Sequence, residues 1–386
     1  MKIVFVSNYY NHHQAALSEA LHALTGGQYA FIQTQPMEAE RKDMGWNDTQ
    51  LPPFVKCSYQ SKEAFARCLQ FVNEADVVLA SGGSAVEKLI QRRIKAGKLL
   101  FRYSERVYKN ARAEKQRLLR GIKYHLCNFP YKNVYLLCAS AYAAADYAKT
   151  GNFVGKAYKW GYFPEVKRYA DPDGLIANKE PNSILWVARL IELKHPEACL
   201  ELAKRLKTDG FRFQLNLIGG GPLEQPLKAR IEEASLGDCV QLLGAMSPEQ
   251  VRAHMEKANV FLFTSDFNEG WGAVLNESMN SGCAVIASHA IGSAPYLVRD
   301  GINGYLYQNG NMEDLYSKVR SLLDAPESAA VLGKKAYKTL ANTWNAETAA
   351  QRLLDLVQRI LSGEKSPTPY EDGPCSKAEV LENNWY

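Results

Sequence analysis

The feature that most constrains this chain is a strand-then-helix alternation that runs, stops and starts again. KIVFVS (2–7), AFIQTQ (30–35), ADVVLASGG (75–83), GKLLFRYSE (97–105) and NVYLLCAS (133–140) are short apolar runs rich in β-branched and aromatic residues. Most end in a loop and lead into a helical period, the first over Ala15 to Leu24. After a polar, proline-bearing stretch, SILWVARL (183–190), FQLNLIGGG (213–221), CVQLLG (239–244), ANVFLFTS (258–265) and CAVIAS (283–288) repeat the layout. Apolar strands separated by helices require a parallel sheet covered on both faces. The 386 residues exceed one typical core. The expected architecture is therefore α/β, with two Rossmann-like domains facing across a cleft. The N-terminal domain is expected over 1–165, a linker over 166–181 and the C-terminal domain over 182–360. The segment from about 360 to 386 is expected to pack back on the first domain, with a short helix at 376–383.

Composition narrows the setting. No run of about 18 apolar residues is present, and the N-terminus reads as a first strand rather than a signal peptide, so a cytoplasmic protein is expected. The eight cysteines form no CxxC pair, which favours reduced core thiols over disulfides or zinc. The net charge is only +5, but residues 88–123 carry +11 and the rest −6. A basic helix is expected over 107–124, with Tyr108, Ala111, Leu118, Leu119 and Ile122 as its apolar positions. Such a segment suits an anionic membrane surface or a lipid-diphosphate acceptor, giving peripheral attachment to the inner leaflet. No nucleic-acid motif accompanies the charge, so nucleic acid is not an expected partner.

In open α/β sheets ligands sit beyond the carboxyl ends of strands, so the loops there hold the candidates. Arg189 closes the first strand of the second domain and Lys194 follows it. Two cations at a strand end suit a diphosphate, the Arg bidentate and the Lys as a point charge. LIGGGP (217–222) permits close backbone approach, with Gly220 a ligand contact. In SDFNEGWGAVLNESMNSGCAVIAS (265–288), Glu269 and Gly270 precede a Trp271-Gly272 turn, and a helix is expected from about Gly272. The N–H groups of Trp271, Gly272 and Ala273 would meet an anion, Glu277 a ribose diol and Glu269 a sugar ring.

These motifs resemble, over residues 183–304, the retaining family 4 glycosyltransferases of GT-B fold. The E-x7-E signature matches Glu269 and Glu277. Arg189 and Lys194 match the family's donor-diphosphate cations, and IGGGP, VQLLG and DGINGYLY (300–307) match in order and separation. The resemblance implies a nucleotide-sugar donor, with UDP or GDP the expected nucleotide. It implies no metal, no cofactor, and retention at the anomeric carbon. It also implies that Glu277 holds the ribose, that Glu269 contacts the transferred sugar, and that the base lies against the backbone at Leu243 and Gly244. The acceptor is then a glycan or a polyprenyl-diphosphate-linked sugar of surface polysaccharide or glycolipid synthesis.

The N-terminal half resembles the family in layout alone. NYYNHHQ (8–14) replaces a Gly-Gly loop, with His12 and His13 as candidate acceptor or phosphate contacts. Ser104 and Glu105 stand where many members carry a His or Asp near the acceptor. Glu105 is a candidate base, or the partner of Arg102 or Arg106 in an ion pair. Two rival readings stay open from sequence: an epimerase or hydrolase on the same fold, and a non-catalytic GT-B partner subunit.

Overall fold

The computed structural model describes residues 1–38, 50–109, 115, 117–128 and 132–386. These form two compact units, each described by itself. The first comprises 1–165 and 345–382, the second 166–344 and 383–386.

In the first unit, β1 (Ile3–Ser7), β2 (Tyr29–Gln33), β3 (Val55–Cys57), β4 (Val77–Ala80), β5 (Leu100–Ser104), β6 (Val134–Cys138) and β7 (Ala157–Lys159) make one sheet. Its order is β3-β2-β1-β4-β5-β6-β7, every pairing parallel. Every residue of β1, β2 and β4 is buried, which is why those runs are apolar on both faces. The helices are α1 (His12–Leu24), α2 (Lys62–Glu74), α3 (Ser84–Lys95), α4 (Arg117–Asn128) and α5 (Ala143–Ala148). Asn11 starts α1 by accepting a hydrogen bond from the His13 N–H at 2.9 Å.

The second unit opens with α6 (Pro172–Ala177). Its sheet is built from β8 (Glu180–Val187), β9 (Gln214–Ile218), β10 (Val240–Leu242), β11 (Ala258–Phe263), β12 (Ala284–Ser288) and β13 (Tyr305–Tyr307), in the order β10-β9-β8-β11-β12-β13. All of its pairings are parallel too. Helices α7 (Glu197–Thr208), α8 (Glu224–Glu233), α9 (Pro248–Lys257), α10 (Val274–Asn280), α11 (Ala294–Leu297), α12 (Met312–Asp324) and α13 (Pro326–Asn342) complete it. Helix α14 (Ala346–Leu361) returns to the first unit and packs on α1.

Several expectations are corrected. The stretch expected as a linker belongs to the second unit and contains α6 and the start of β8. That unit gives way at Trp344 rather than at 360, so α14 is part of the first unit. No helix forms at 376–383. Instead the Lys159 N–H donates to the Ser376 carbonyl (2.7 Å) and the Cys375 N–H to the Lys159 carbonyl (2.8 Å), pairing the tail with the open edge of β7. Of the helix expected over 107–124, α4 is the helical part described, and it runs on to Asn128; the basic segment 88–123 also takes in α3 and β5. Ala111 lies outside the described residues, and Tyr108 is buried outside any helix. Arg93 is buried and spends its guanidinium on the carbonyls of Val72, Ala75, Asp76 and Leu99.

Seven cysteines are free thiols and six of them are buried; Cys127 lies outside the residues whose side chains are described. Among the described residues, no helix is long and apolar enough to cross a membrane.

Candidate active site

Each sheet reverses its strand order once, between β1 and β4 in the first unit and between β8 and β11 in the second. A crevice opens at such a point because the neighbouring connections leave to opposite sides. In the second unit the segments leaving β8 and β11 carry Arg189, Lys194 and Glu269.

The Gly-rich turn after β9 shapes the β8 end. The Leu190 N–H donates to the Gly220 carbonyl at 2.9 Å, and the Gly219 N–H to the Gly244 carbonyl at 2.8 Å. A β-carbon on Gly219 would lie 1.8 Å from the Ala188 carbonyl oxygen, and one on Gly221 2.5 Å from that of Leu190. Gly219 and Gly221 are thus packing requirements. Gly220 alone faces open space, with only Ala245 at 3.8 Å. The Leu243 N–H is spent on the Leu217 carbonyl at 2.9 Å.

The two cations stand in different states. Arg189 is exposed, and its guanidinium makes no hydrogen bond or ion pair with the described residues. Lys194 closes a short 3₁₀ turn (Glu192–Lys194) and is ion-paired to Glu269, both side chains being largely buried. Its ammonium also lies 5.6 Å from the centre of the Phe263 ring. A relay fixes its backbone: Trp186 Nε1 donates to Thr264 Oγ1 (2.9 Å), which donates to the Lys194 carbonyl (2.6 Å).

Glu269 sits in a turn rather than on a helix, its N–H bonded to the Asp266 carbonyl at 3.1 Å. Helix α10 begins at Val274, two residues later than expected from sequence, with Ala273 at its N-cap. Gly272 has φ +78°, and a β-carbon there would meet Phe263 at 2.5 Å and the Glu269 side chain at 3.4 Å. The Trp271 side chain is buried, donating to Asn276 Oδ1 at 2.9 Å beside Tyr296 and Trp344. It is core, so only its backbone is left to meet a ligand; Gly270 beside it is buried as well. Glu277 lies on α10 and is partly exposed. Desolvation pushes its carboxyl above the usual range, and the nearby Arg252 guanidinium opposes that rise.

Sequence reasoning missed Thr264, Asp266, His195 and Arg252. For Thr264 and Asp266 the signal was the polar run TSD directly after an apolar strand, the place where an interior has ended.

In the first unit a cavity of about 620 Å³ lies at the β4 and β5 ends, lined by Ser81–Ser84, Arg102, Glu105, Lys123, Tyr124 and Tyr147 among others. Glu105 accepts from Tyr162 Oη and from Lys109 Nζ, both at 2.6 Å. Its ion-pair partner is therefore Lys109. Arg102 instead pairs with Glu87 (2.5 Å) and Arg106 with the buried Asp146 (3.2 Å). Ser104 Oγ donates to the Glu105 carbonyl at 2.7 Å and accepts from Tyr147 at 3.2 Å. His12 and His13 begin α1, and the His13 ring stacks on Tyr162 at 5.5 Å, so His13, Tyr162 and Glu105 form one contiguous group. Burial pushes the His12 pKa down.

Two sheets of this order, with Arg189 and the Lys194–Glu269 pair at one reversal point, agree with a match to a sequence family, Glycosyl transferases group 1, over residues 168–339. The matched segment contains Arg189, Lys194, Glu269 and Glu277. The fold is GT-B, and it is shared along nearly the whole chain. The UDP complex of Anabaena Alr3699/HepE superposes with TM-score 0.67 at 16% identity, covering 93% of this chain and 100% of that one. Sucrose-phosphate synthase from Thermosynechococcus elongatus gives 0.66 at 17%, covering 94% and 100%.

Among curated relatives, the amylovoran biosynthesis glycosyltransferase AmsK of Erwinia amylovora is 29% identical over 186 residues, 47% of this chain and 46% of that protein. A Campylobacter jejuni N-acetylgalactosaminyltransferase, named for a diphospho-undecaprenol-linked substrate, is 32% identical over 160 residues, 42% and 41% of the two. The chain spans about half the length of the curated relatives it matches.

Proposed function

We propose that this group 1 glycosyl transferase chain moves a hexose from a nucleotide-diphosphate donor to a glycan or lipid-linked acceptor, with retention at the anomeric carbon. The observation that carries the reading is the exposed Arg189, with no hydrogen-bond or ion-pair partner among the described residues, beside the Lys194–Glu269 pair at the β8/β11 reversal. An Arg with no protein partner is a ready bidentate site for a diphosphate oxygen pair. Glu277 on α10 is the acceptor for the ribose hydroxyls, and Gly220, Gly244 and the Gly272–Ala273 backbone offer close approach. UDP is the favoured nucleotide and GDP the alternative. The UDP-bound relative of this fold supports a nucleotide-diphosphate donor.

Double displacement needs a free carboxylate nucleophile. Glu269 is engaged by Lys194, which lowers its nucleophilicity. The reading is therefore a front-face transfer. The bond from the anomeric carbon to the leaving phosphate oxygen breaks while the acceptor oxygen bonds on the same face. The acceptor proton passes to the departing diphosphate. Arg189 and Lys194 stabilise the charge that grows there.

For the acceptor, the cavity in the first unit offers tyrosine rings for stacking on sugar faces, and Lys123 for anionic groups. Lys123 and Tyr124 reach it from α4. The same helix exposes Leu118, Leu119, Ile122 and Leu126, each more than half accessible. A helix that lines a polar pocket and leaves an apolar row uncovered suits an acceptor carried on an anionic membrane, with the protein peripheral on the inner leaflet.

The test is a melting-temperature series with UDP, GDP, ADP and CMP, without metal, on the parent and on Arg189→Ala and Glu277→Ala. A ligand of the folded state raises the melting temperature by mass action. One diphosphate is expected to stabilise the parent and neither variant. No shift with any of them sinks the donor-site reading and leaves a non-catalytic role in its place.

A further inference from the structure

His195 follows Lys194 at the end of the 3₁₀ turn, with φ 49° and ψ 51°. Side chains rarely occupy that left-handed region unless their surroundings hold them there. Both ring nitrogens end on carboxylates: Nδ1 lies 2.8 Å from Glu197 Oε1 and Nε2 3.2 Å from Asp266 Oδ2. Ionised carboxylates only accept, so both contacts are hydrogen bonds only when both nitrogens carry protons.

Asp266 in turn organises the next segment. Its N–H donates to the Leu193 carbonyl (3.1 Å), its Oδ1 accepts from the Asn268 N–H (2.8 Å), and its carbonyl accepts from the Glu269 N–H (3.1 Å). His195 therefore joins the turn that carries Lys194 to the turn that carries Glu269.

We propose that protonated His195 is a positioning residue of the donor site, clamping these two turns together, and that its deprotonation loosens them and weakens diphosphate binding. The proposal rests on the donor-site reading above. Desolvation lowers the His195 pKa, but hydrogen bonds to Glu197 and Asp266, with their charges, outweigh it and raise the group above its ordinary 6.5. The clamp is thus intact at low pH and is lost as pH climbs through that raised value. The charged groups around the ring are Glu197 and Glu201 on α7 and Asp266 after β11. Tyr307 on β13 lines the same small cavity of about 180 Å³. Burial raises the Tyr307 phenol far out of this pH range.

The experiment is calorimetric titration of the full chain with UDP, and separately with GDP, at pH 6.5 and pH 9. Both lie above the second ionisation of a terminal phosphate, at about 6. Binding by the parent is expected to weaken about tenfold between them. His195→Gly, which takes up the left-handed conformation without strain, is expected to bind at pH 6.5 as weakly as the parent at pH 9, with no pH dependence and a cooperative unfolding transition retained. His195→Asn is expected to be equally flat. A purely structural histidine would leave the parent flat and lower affinity equally at both pH values, which overturns the proposal. Parent and His195→Gly binding alike also overturns it, with the donor reading intact. If the parent binds neither UDP nor GDP at either pH, the donor reading fails and the clamp falls with it.

Discussion

Arg189 and Lys194 lie five positions apart at one strand end, yet their variants should fail differently. The exposed Arg189 guanidinium makes no hydrogen bond or ion pair with a described residue, so Arg189→Ala should leave stability within about 0.5 kcal/mol and cost about 1.5–3 kcal/mol in UDP affinity by titration. Lys194→Ala strands a largely buried carboxylate, Glu269, and should also lower unfolding stability by about 1–3 kcal/mol in urea. Equal urea midpoints for the two variants would contradict the pairing. Glycine positions differ by the same logic. Gly219→Ala drives a β-carbon into the Ala188 carbonyl and should destabilise the β8 end severely, whereas at Gly244 (φ +74°) only backbone strain opposes it, about 1–2 kcal/mol. Glu277 supplies the pH dependence. Its raised pKa means that the folded state holds its proton more tightly than the unfolded chain, so ionisation erodes stability as pH rises above about 4.5. Glu277→Gln should therefore melt higher than the parent at pH 7 and equally at pH 4, while losing nucleotide binding.

Among the elements, legibility followed length and burial. The long apolar runs that became β1, β4, β8, β11 and β12 announce themselves because both faces are covered. β3, β7 and β13 span three residues each, too few for periodicity, and were absent from the strands expected from sequence, whereas the equally short β10 was read from the longer run CVQLLG around it. The later start of α10 has a physical cause: Gly272 takes a left-handed φ against Phe263, which delays the helix to Val274. The charges of 88–123 were visible, but not that Arg93 and Arg106 are consumed internally, because their partners, the carbonyls near Val72 and the Asp146 carboxylate, are distant in sequence. Helix α4 carries the prediction at this scale. Leu118→Ser with Ile122→Ser should leave the melting temperature unchanged, since both side chains are exposed, and should abolish sedimentation with anionic vesicles. Retained sedimentation would remove the membrane-facing role of α4.

At the scale of the molecule, the chain crosses from the first unit to the second after Glu165 and returns at Asn345, so α14 completes a unit begun some 340 residues earlier. A chain ending at Trp344 should lose cooperative structure in the first unit, whose α1 has lost its α14 contact. Limited proteolysis should then leave a resistant fragment beginning near Val166. The two-unit layout was readable in the restart of the strand pattern, whereas the return of α14 was not, because an amphipathic helix does not specify which sheet it covers. The donor-site residues were readable as types at strand ends. The Lys194–Glu269 pairing and the His195 link came only with the backbone.

Sugar transfer with retention is the step on which the donor site and the acceptor cavity converge. The direct measurement is proton NMR of the product formed from UDP- or GDP-hexoses and a lipid-linked glycan extract, with Arg189→Ala beside the parent. The predicted result is one donor consumed by the parent alone, the new linkage keeping the donor's anomeric configuration. An inverted linkage, or nucleotide diphosphate released at the same rate without acceptor, would contradict it.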